Sequence, residues 1–217
     1  MPPDYNYDDA LAKSFLFYEA QRSGILPSTN RISWRKDSAL GDASAIYDAN
    51  NNGLIDPGET LTRDLSGGYY DAGDNMKYAY PMASSMTLLS WGVAQYQAAY
   101  AFSGQLDEAL ATIRWGTDWL LKAHETSGNT GALETVRFWG QVGRSDTDHK
   151  SWVDDQRIST LRPAYYIDPT KPGSDMAAEA AATLASSSII FRSTDATYAD
   201  RLLDNAKALF RFAYQYQ

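Results

Sequence analysis

The sequence contains no cysteine, so disulfides, thiolate zinc sites and cysteine nucleophiles are all excluded. Only two histidines occur in 217 residues, and no apolar run reaches membrane-spanning length. Positive charge is scarce as well, with 19 Lys and Arg against 27 Asp and Glu, a formal net charge of -8. Because an acidic surface repels phosphates and anionic lipids, we expect neither nucleic acid nor a membrane as partner. A neutral ligand such as a polysaccharide fits this charge.

Aromatic side chains are plentiful, with 6 Trp and 15 Tyr in a chain whose length fits one domain or part of a larger one. Many of these rings must form the core, and others are candidates for stacking on sugars. Trp34 lies in a polar, loop-like stretch. It is either a stacking platform or a core plug, and we expect the plug. The opening Met1-Pro2-Pro3-Asp4 has no signal-peptide pattern, so we expect a removed leader or a domain edge.

Five stretches have the apolar period of amphipathic helices: 8–22, 82–102, 105–124, 175–191 and 195–216. The short connection between the last two predicts an antiparallel helical hairpin. Between the third and fourth helices lies the long segment 125–174, for which we expect a short strand pair within 134–142 and otherwise loop. Long loops in compact domains are often functional. His124 ends a predicted helix, where a charged imidazole would complement the helix dipole, so we interpret it as structural.

Residues 48–59, which we call the oxygen-rich loop, match the twelve-position EF-hand calcium loop in register. Gly53 stands at position six, where that loop turns sharply. Position seven contributes a backbone carbonyl, and a glutamate at position twelve can bind calcium through both oxygens. The predicted ligands are Asp48, Asn50, Asn52, Leu54, Asp56 and Glu59. The alternative is a polar surface loop, but the spacing predicts one calcium ion and a dockerin-like single loop.

Asp71-Ala72-Gly73-Asp74, the acidic turn, places two carboxylates three residues apart just before a predicted helix. The glycine lets the backbone bend, so that both acids can point to one spot. Two converging carboxylates can hold a water molecule and take its proton. On its own, this sequence is also an ordinary turn.

Further motifs accompany the acidic turn in a fixed order: Ser33-Trp34-Arg35, Gln141-Val142-Gly143, Asp148-His149-Lys150, Arg162-Pro163 and Pro172-Gly173-Ser174-Asp175. With the opening run 5–24, they resemble the catalytic domain of glycoside hydrolase family nine. The resemblance spans the whole chain, 1–217, and looks like about the first half of that domain. The oxygen-rich loop falls where the family usually has a short connection, so it looks like an insertion.

The resemblance implies an all-α fold, the first part of a truncated (α/α)6 barrel with long loops and a short β-hairpin. It implies inverting hydrolysis of β-1,4-glucosidic bonds in cellulose or related β-glucans, as by a secreted, extracellular endoglucanase. Asp74 would be the general base, and Asp71 would help hold the water. His149 and Trp152 resemble residues that bind the sugar. The family commonly has histidine at position 75, where this chain has Asn75.

An inverting glycosidase also needs an acid that protonates the leaving oxygen. In the family this acid is a glutamate near the end of the domain, and no stretch of this chain resembles its motif. Glu59 and Glu134 are acids, but nothing aligns either of them with that role. We therefore expect the isolated chain to be inactive and, as a further partner, the C-terminal half of the domain. We also expect the last two helices to expose apolar stripes.

Two non-enzymatic interpretations compete with hydrolysis. The first is a calcium-stabilised glycan-binding remnant or an incomplete fragment without catalysis. The second takes the oxygen-rich loop as a docking element, which would require a duplicated loop with flanking helices. Only one such loop is present.

Overall fold

The computed structural model of the chain describes residues 5–217; Met1–Asp4, on which the expectation of a removed leader rests, lies outside the described residues. Six α-helices are present in this range: α1 (Tyr7–Ala20), α2 (Ala79–Phe102), α3 (Leu106–Ala123), α4 (Ser145–Asp148), α5 (Ser174–Phe191) and α6 (Ala196–Gln215). The five long helices are those predicted from the sequence, with ends displaced by at most three residues. The short α4 was not predicted.

Side-chain caps set where two of these helices begin. The Asn6 side chain accepts a hydrogen bond from the Asp9 N–H at 3.0 Å, and the Asp195 carboxylate accepts one from the Tyr198 N–H at 3.0 Å. Both caps satisfy backbone donors that the first helical turn leaves without partners. They explain why α1 and α6 start where they do.

The helical period of the sequence predicts Met86, Leu89, Val93 and Tyr96 as the inner stripe of α2, and the structure differs from this prediction. It begins at Ala79, because Pro81 is tolerated in the first turn, where its missing N–H would have no helical partner. Met86 and Val93 are buried as expected, whereas Tyr96 is 67% exposed and was wrongly placed inside. Tyr96 has non-helical backbone angles (φ -125°, ψ 29°), so the helix kinks there. The kink changes which side of the helix faces the core.

The core lies between α2, α3, α5 and α6, where α5 and α6 form the predicted antiparallel hairpin. Hydroxyl pairs join α2 to α5, with Ser90 and Ser187 at 2.9 Å and Thr87 and Thr183 at 2.8 Å. Such small side chains let the two backbones approach closely. The stripes of α5 and α6 that we expected to be exposed are instead buried in this contact. The large apolar side chains that α5 and α6 do expose are Ile189, Phe210 and Tyr214.

The segment after α3 forms a sheet larger than the expected hairpin. Strand β5 (Glu134–Val142) pairs antiparallel with β3 (Lys77–Tyr78) and β4 (His124–Ser127) along one edge and with β6 (Ala164–Ile167) along the other. The sequence missed this sheet because β3 has two residues and β4 and β6 have four each, too short to show a period.

This sheet places the functional loops. Lys77 pairs with Val142, so the acidic turn lies beside the chain that leaves β5 towards α4. A second pair, β1 (Ala45–Ile46) with β2 (Thr62–Arg63), closes the base of the oxygen-rich loop. In the described part of the chain, no helix is both long and apolar enough to cross a bilayer.

His124 connects three elements at the junction of α3 and β4. Its Nδ1–H donates to Asn205 Oδ1 on α6 at 2.8 Å, and its Nε2 accepts from the Thr135 hydroxyl on β5 at 2.8 Å. Burial lowers the pKa of His124 to about 4, so the ring is neutral near pH 7. The structural role is therefore confirmed, but the predicted interaction of a charged ring with the helix dipole is wrong.

Because the unfolded histidine takes up a proton near pH 6.5 and the folded one only near pH 4, acid favours unfolding across this window. We expect the free energy of unfolding of the wild type to fall from pH 6.5 to pH 4 by more than that of His124→Leu. The variant starts less stable, because Asn205 and Thr135 lose a partner. Urea unfolding of both proteins across the window measures the difference, and parallel curves would contradict this assignment.

Candidate active site

The acidic turn is closed by its own backbone. The Asp71 N–H donates to the Met76 carbonyl at 2.9 Å, and the Met76 N–H donates to Asp74 Oδ1 at 3.2 Å. The turn therefore lies immediately before β3 and the start of α2, as the sequence predicted. Its conformation places Asp74 where a side chain from a distant loop can reach it.

That side chain is His149, which follows α4. Its Nε2 lies 2.5 Å from Asp74 Oδ2, although the two residues are 75 positions apart. The imidazole is 56% exposed, and the Asp74 side chain is 12% exposed. A shielded carboxylate thus meets an accessible ring at the surface of a cleft. The structure brings together these two predicted site residues.

Asp71 lies beside this pair, and its carboxyl group holds a proton more readily than an ordinary aspartic acid does. Partial burial of its carboxyl group and, secondarily, the negative charge of Asp74 raise the pKa of Asp71 above its ordinary value. A neighbouring carboxylate disfavours ionisation, so its effect has the same direction as that of burial. Asp71 also borders a pocket between α1 and α2 with aromatic walls: Phe17, Tyr18, Tyr69, Tyr70 and Tyr78.

Trp152 stands over the acidic turn. Its indole is 82% exposed, and a Cβ added to Gly73 would lie 3.6 Å from the indole edge. The acidic turn thus has beside it a flat aromatic face with almost no packing of its own. Such a face can stack on an apolar sugar surface.

Residue 75 does not line the cleft. Asn75 is buried, its N–H donates to Asp148 Oδ1 at 3.0 Å, and its carbonyl accepts from Arg162 Nη1 at 2.7 Å. Its side chain donates to the Val153 carbonyl at 3.4 Å. Asn75 therefore joins the acidic turn to the end of α4 and to the two loops that follow it, one of which carries Arg162.

A buried charge cluster supports this arrangement from below. The carboxylate of Asp42 lies 2.7 Å from Lys77 Nζ and 2.7 Å from Arg162 Nε. Burial alone would raise the pKa of Asp42, but the charges and hydrogen bonds of Lys77 and Arg162 overcome this and lower it. Burial lowers the pKa of Lys77 to about 8, which still leaves the ammonium mostly charged near neutral pH. The cluster therefore joins the loop before β1 to both sides of the turn.

The oxygen-rich loop lies apart from the acidic turn, and several of its backbone N–H groups point towards its own carboxylates. The buried Asp48 accepts hydrogen bonds from the N–H groups of Asn52 at 3.1 Å and Gly53 at 2.8 Å. Gly53 has φ +82°, as a sharp turn at the sixth position requires. Glu59 accepts from the N–H groups of Ala49 and Asp56 at 2.6 and 2.9 Å.

The predicted ligands bond to each other in this loop. The side-chain amides of Asn50 and Asn52 donate to Asp56 Oδ2 at 2.7 and 2.8 Å. Across residues 5–217, no three His, Cys, Asp or Glu side chains are grouped closely enough to hold a metal. The side-chain chemistry, all carboxylate and amide oxygens, matches calcium.

The loop is also joined to the candidate active site. Arg144 Nη1 donates to the Asn51 carbonyl at 3.0 Å, and a Cβ at Gly53 would clash with the Arg144 side chain at 2.7 Å. The same guanidinium holds Asp146 at 2.9 Å through two nitrogens. Arg144 immediately precedes α4, after which His149 follows.

Sequence reasoning missed the roles of Asp42 and Asp148. Asp148 stands in a recognised motif next to His149, but nothing local shows that its side chain turns inward. Asp42 lies in a polar loop with no periodic pattern. Lys77, beside the acidic turn, was the one hint in the sequence. A buried lysine needs a counter-charge, and Asp42 supplies it.

Comparison with known proteins finds a matching family model, similar sequences and similar structures. The family model described as glycosyl hydrolase family 9 matches residues 7–217. Endoglucanase 4 of Bacillus sp. (strain KSM-522) is 47% identical over 214 residues, covering 99% of this chain and 30% of the relative. An endoglucanase structure from the termite Nasutitermes takasagoensis is 42% identical with a TM-score of 0.84, covering 99% of this chain and 44% of that one.

Endoglucanase CelQ from Clostridium thermocellum, solved in complex with cellobiose and cellotriose, is 28% identical with a TM-score of 0.74. It is covered over 29% of its length, and this chain over 98%. The chain thus spans less than half the length of these proteins. The likeness confirms the predicted fold class, the first part of an (α/α)6 barrel.

We expect Asp148→Ala to lower the free energy of unfolding by about 1–3 kcal/mol, because it leaves the buried Asn75 N–H without an acceptor. Asp148→Asn, which keeps an acceptor oxygen, should lose less. The matched control is Asp146→Ala, whose carboxylate is 56% exposed and whose surface ion pair contributes little to stability. Urea unfolding measures all three, and equal losses at 146 and 148 would contradict the role of Asp148.

Proposed function

The chain belongs to glycosyl hydrolase family 9, and from this premise we propose that it forms the base-bearing half of a secreted endoglucanase. The proposed substrate is cellulose or a related β-1,4-glucan, and the proposed outcome is hydrolysis with inversion. The relatives named above are endoglucanases, and one of them binds cello-oligosaccharides. The observation that carries the proposal is the 2.5 Å contact between His149 and Asp74 beside Asp71 and Trp152.

In the proposed reaction, Asp74 acts as the general base. Its carboxylate takes a proton from a water molecule while the water oxygen bonds to the anomeric carbon. Asp71, whose raised pKa lets it keep a proton more readily, helps to orient that water. His149 stays accessible enough to contact sugar hydroxyls while it bonds to the base, and Trp152 stacks on the pyranose face.

The leaving oxygen needs a proton at the same time. Inverting enzymes supply it from a second carboxyl group roughly 6.5–9.5 Å from the base. Glu134 lies eight residues along β5 from Val142, about 27 Å at the rise of an extended strand. Glu59 has both oxygens bonded to backbone N–H groups of its own loop. We therefore assign the general acid to the C-terminal half of the domain.

The alternative function, glycan binding without catalysis, rests on the same cleft. Trp152 and His149 would hold a glucan whether or not an acid is present. Binding and turnover must therefore be measured separately.

The catalytic test joins the chain to the C-terminal half of a family 9 endoglucanase. We expect the joined protein to release reducing ends from soluble cellulose and the 217-residue chain alone to release none. Asp74→Asn in the joined protein should lower the rate about 10²- to 10⁴-fold while it still binds glucan, because a positioned base is lost. Asp107→Asn, at the exposed start of α3, is the matched control.

Two outcomes would contradict this assignment. If the Asp74→Asn variant hydrolysed glucan at the wild-type rate, Asp74 would not be the base. Activity of the chain alone would mean that an acid among its own residues, such as Glu59 or Glu134, donates the proton.

For the oxygen-rich loop we propose one bound calcium ion. Asp48, Asn50, Asn52, Asp56 and Glu59 would supply side-chain oxygens, and Leu54 its carbonyl. Calcium would replace the hydrogen bonds that these side chains now make to each other. Its role would be structural, since the loop contacts Arg144 ahead of α4. A docking role lacks the second loop that it would need.

We expect calorimetry to detect calcium binding by the wild type and the melting temperature to fall when a chelator is added. A ligand that binds the folded state alone adds about 2.7 kcal/mol of stability at a hundred times its dissociation constant. Glu59→Gln should weaken binding strongly, and Glu134→Gln, at an exposed site, should not. Absence of both the binding heat and the melting shift would exclude the site.

A further inference from the structure

We infer that Trp34 is a second sugar-stacking platform, which receives the β-glucan chain beyond the sugar held by Trp152. This inference rests on the proposed function, because it extends the same cleft. The indole of Trp34 is 65% exposed. The expectation that it plugs the core is therefore wrong, and its position has to be explained by something other than packing.

The segment that follows Trp152 contacts the backbone of Trp34. At one end of this short segment, the Val153 carbonyl accepts a hydrogen bond from the Asn75 side chain at 3.4 Å, next to the acidic turn. At the other end, the Gln156 side chain donates to the Trp34 carbonyl at 3.3 Å. Position 156 is four steps along the chain from position 152, a span of at most about 14 Å. The backbone of Trp34 therefore lies beside the short segment that follows Trp152, and both indoles are exposed.

A buried ion pair fixes the distance between the two loops. Arg35, the residue after Trp34, is paired with Asp155, and both side chains are almost fully buried. Buried charges are retained only when paired, so the two loops cannot separate without leaving a charge uncompensated. The position of Trp34 relative to Trp152 is thus built into the fold.

Arg35 also supports the ring itself. Its guanidinium carbon lies 5.9 Å from the centre of the Trp34 ring and 5.9 Å from that of Tyr70, the residue before Asp71. A cation packed against an aromatic ring is attracted to it. The indole is held from one side and exposed to solvent elsewhere, and a platform ordered in advance loses little entropy when a ligand binds.

The chemistry of this rim selects a neutral, extended ligand. Single-stranded nucleic acid also stacks on aromatic rings, but it requires a positively charged groove, and the chain carries a net charge of -8. A linear β-glucan offers apolar pyranose faces at intervals along an uncharged chain. An oligosaccharide that reaches both indoles should therefore bind more tightly than one that reaches Trp152 alone.

The test is a calorimetric titration of the full 217-residue chain with cellotriose and, separately, with cellohexaose. Trp34→Ala should weaken binding of cellohexaose about fivefold or more and leave cellotriose within about twofold, since truncating a tryptophan anchor is commonly costly. Trp34→Tyr, which keeps a flat ring, should restore most of the loss. Trp152→Ala should weaken binding of both sugars.

Trp91→Ala is the matched control, because Trp91 is 63% exposed but lies on α2, about 18 Å along the helix from Ala79 beside the acidic turn. Equal cellohexaose binding by Trp34→Ala and wild type would overturn the inference and leave the proposed function standing. Equal losses in Trp34→Ala and Trp91→Ala would overturn it too. A wild-type chain that binds neither sugar would overturn the proposed function, and the inference with it.

Discussion

The buried carboxylate of Asp42 is the constraint on which the candidate active site depends. Taking it out of water costs several kcal/mol, which its contacts with Lys77 and Arg162 offset. These two cations reach the acidic turn from different directions, since Lys77 opens β3 and Arg162 bonds to the Asn75 carbonyl. Loss of either partner would leave a charge uncompensated in the interior. The turn is therefore fixed by electrostatics as well as by its own backbone.

Packing and chemistry are divided between two parts of the molecule. The long helices and the sheet pack through buried apolar and hydroxyl side chains. The loops that meet at the start of α2 carry Asp71, Asp74, His149 and Trp152, all of which keep some contact with solvent or cleft. Binding and catalytic residues commonly lie on loops that a rigid scaffold positions.

Contacts of two arginines also order the loops around the site. The Arg35–Asp155 pair joins the loop of Trp34 to that of Trp152, while Arg144 joins the oxygen-rich loop to the start of α4. Each contact connects segments that are far apart in sequence and carries no catalytic group itself. Exposed aromatic faces and an exposed imidazole can then stand at fixed places without packing around them.

The sequence alone was enough to predict the five long helices, because apolar side chains recur along them with the helical period. Through its motifs, it also predicted Asp71, Asp74, His149 and Trp152 as site residues. It did not determine the four-stranded sheet, whose shorter strands have two to four residues each. Nor did it show that Asp42 and Asp148 are buried or that Trp34 is exposed. Burial and pairing of charges depend on segments 70 to 120 positions apart meeting in space, as Asn75 meets Asp148 and Asp42 meets Arg162. No local pattern encodes such contacts, so the tertiary structure alone decided them.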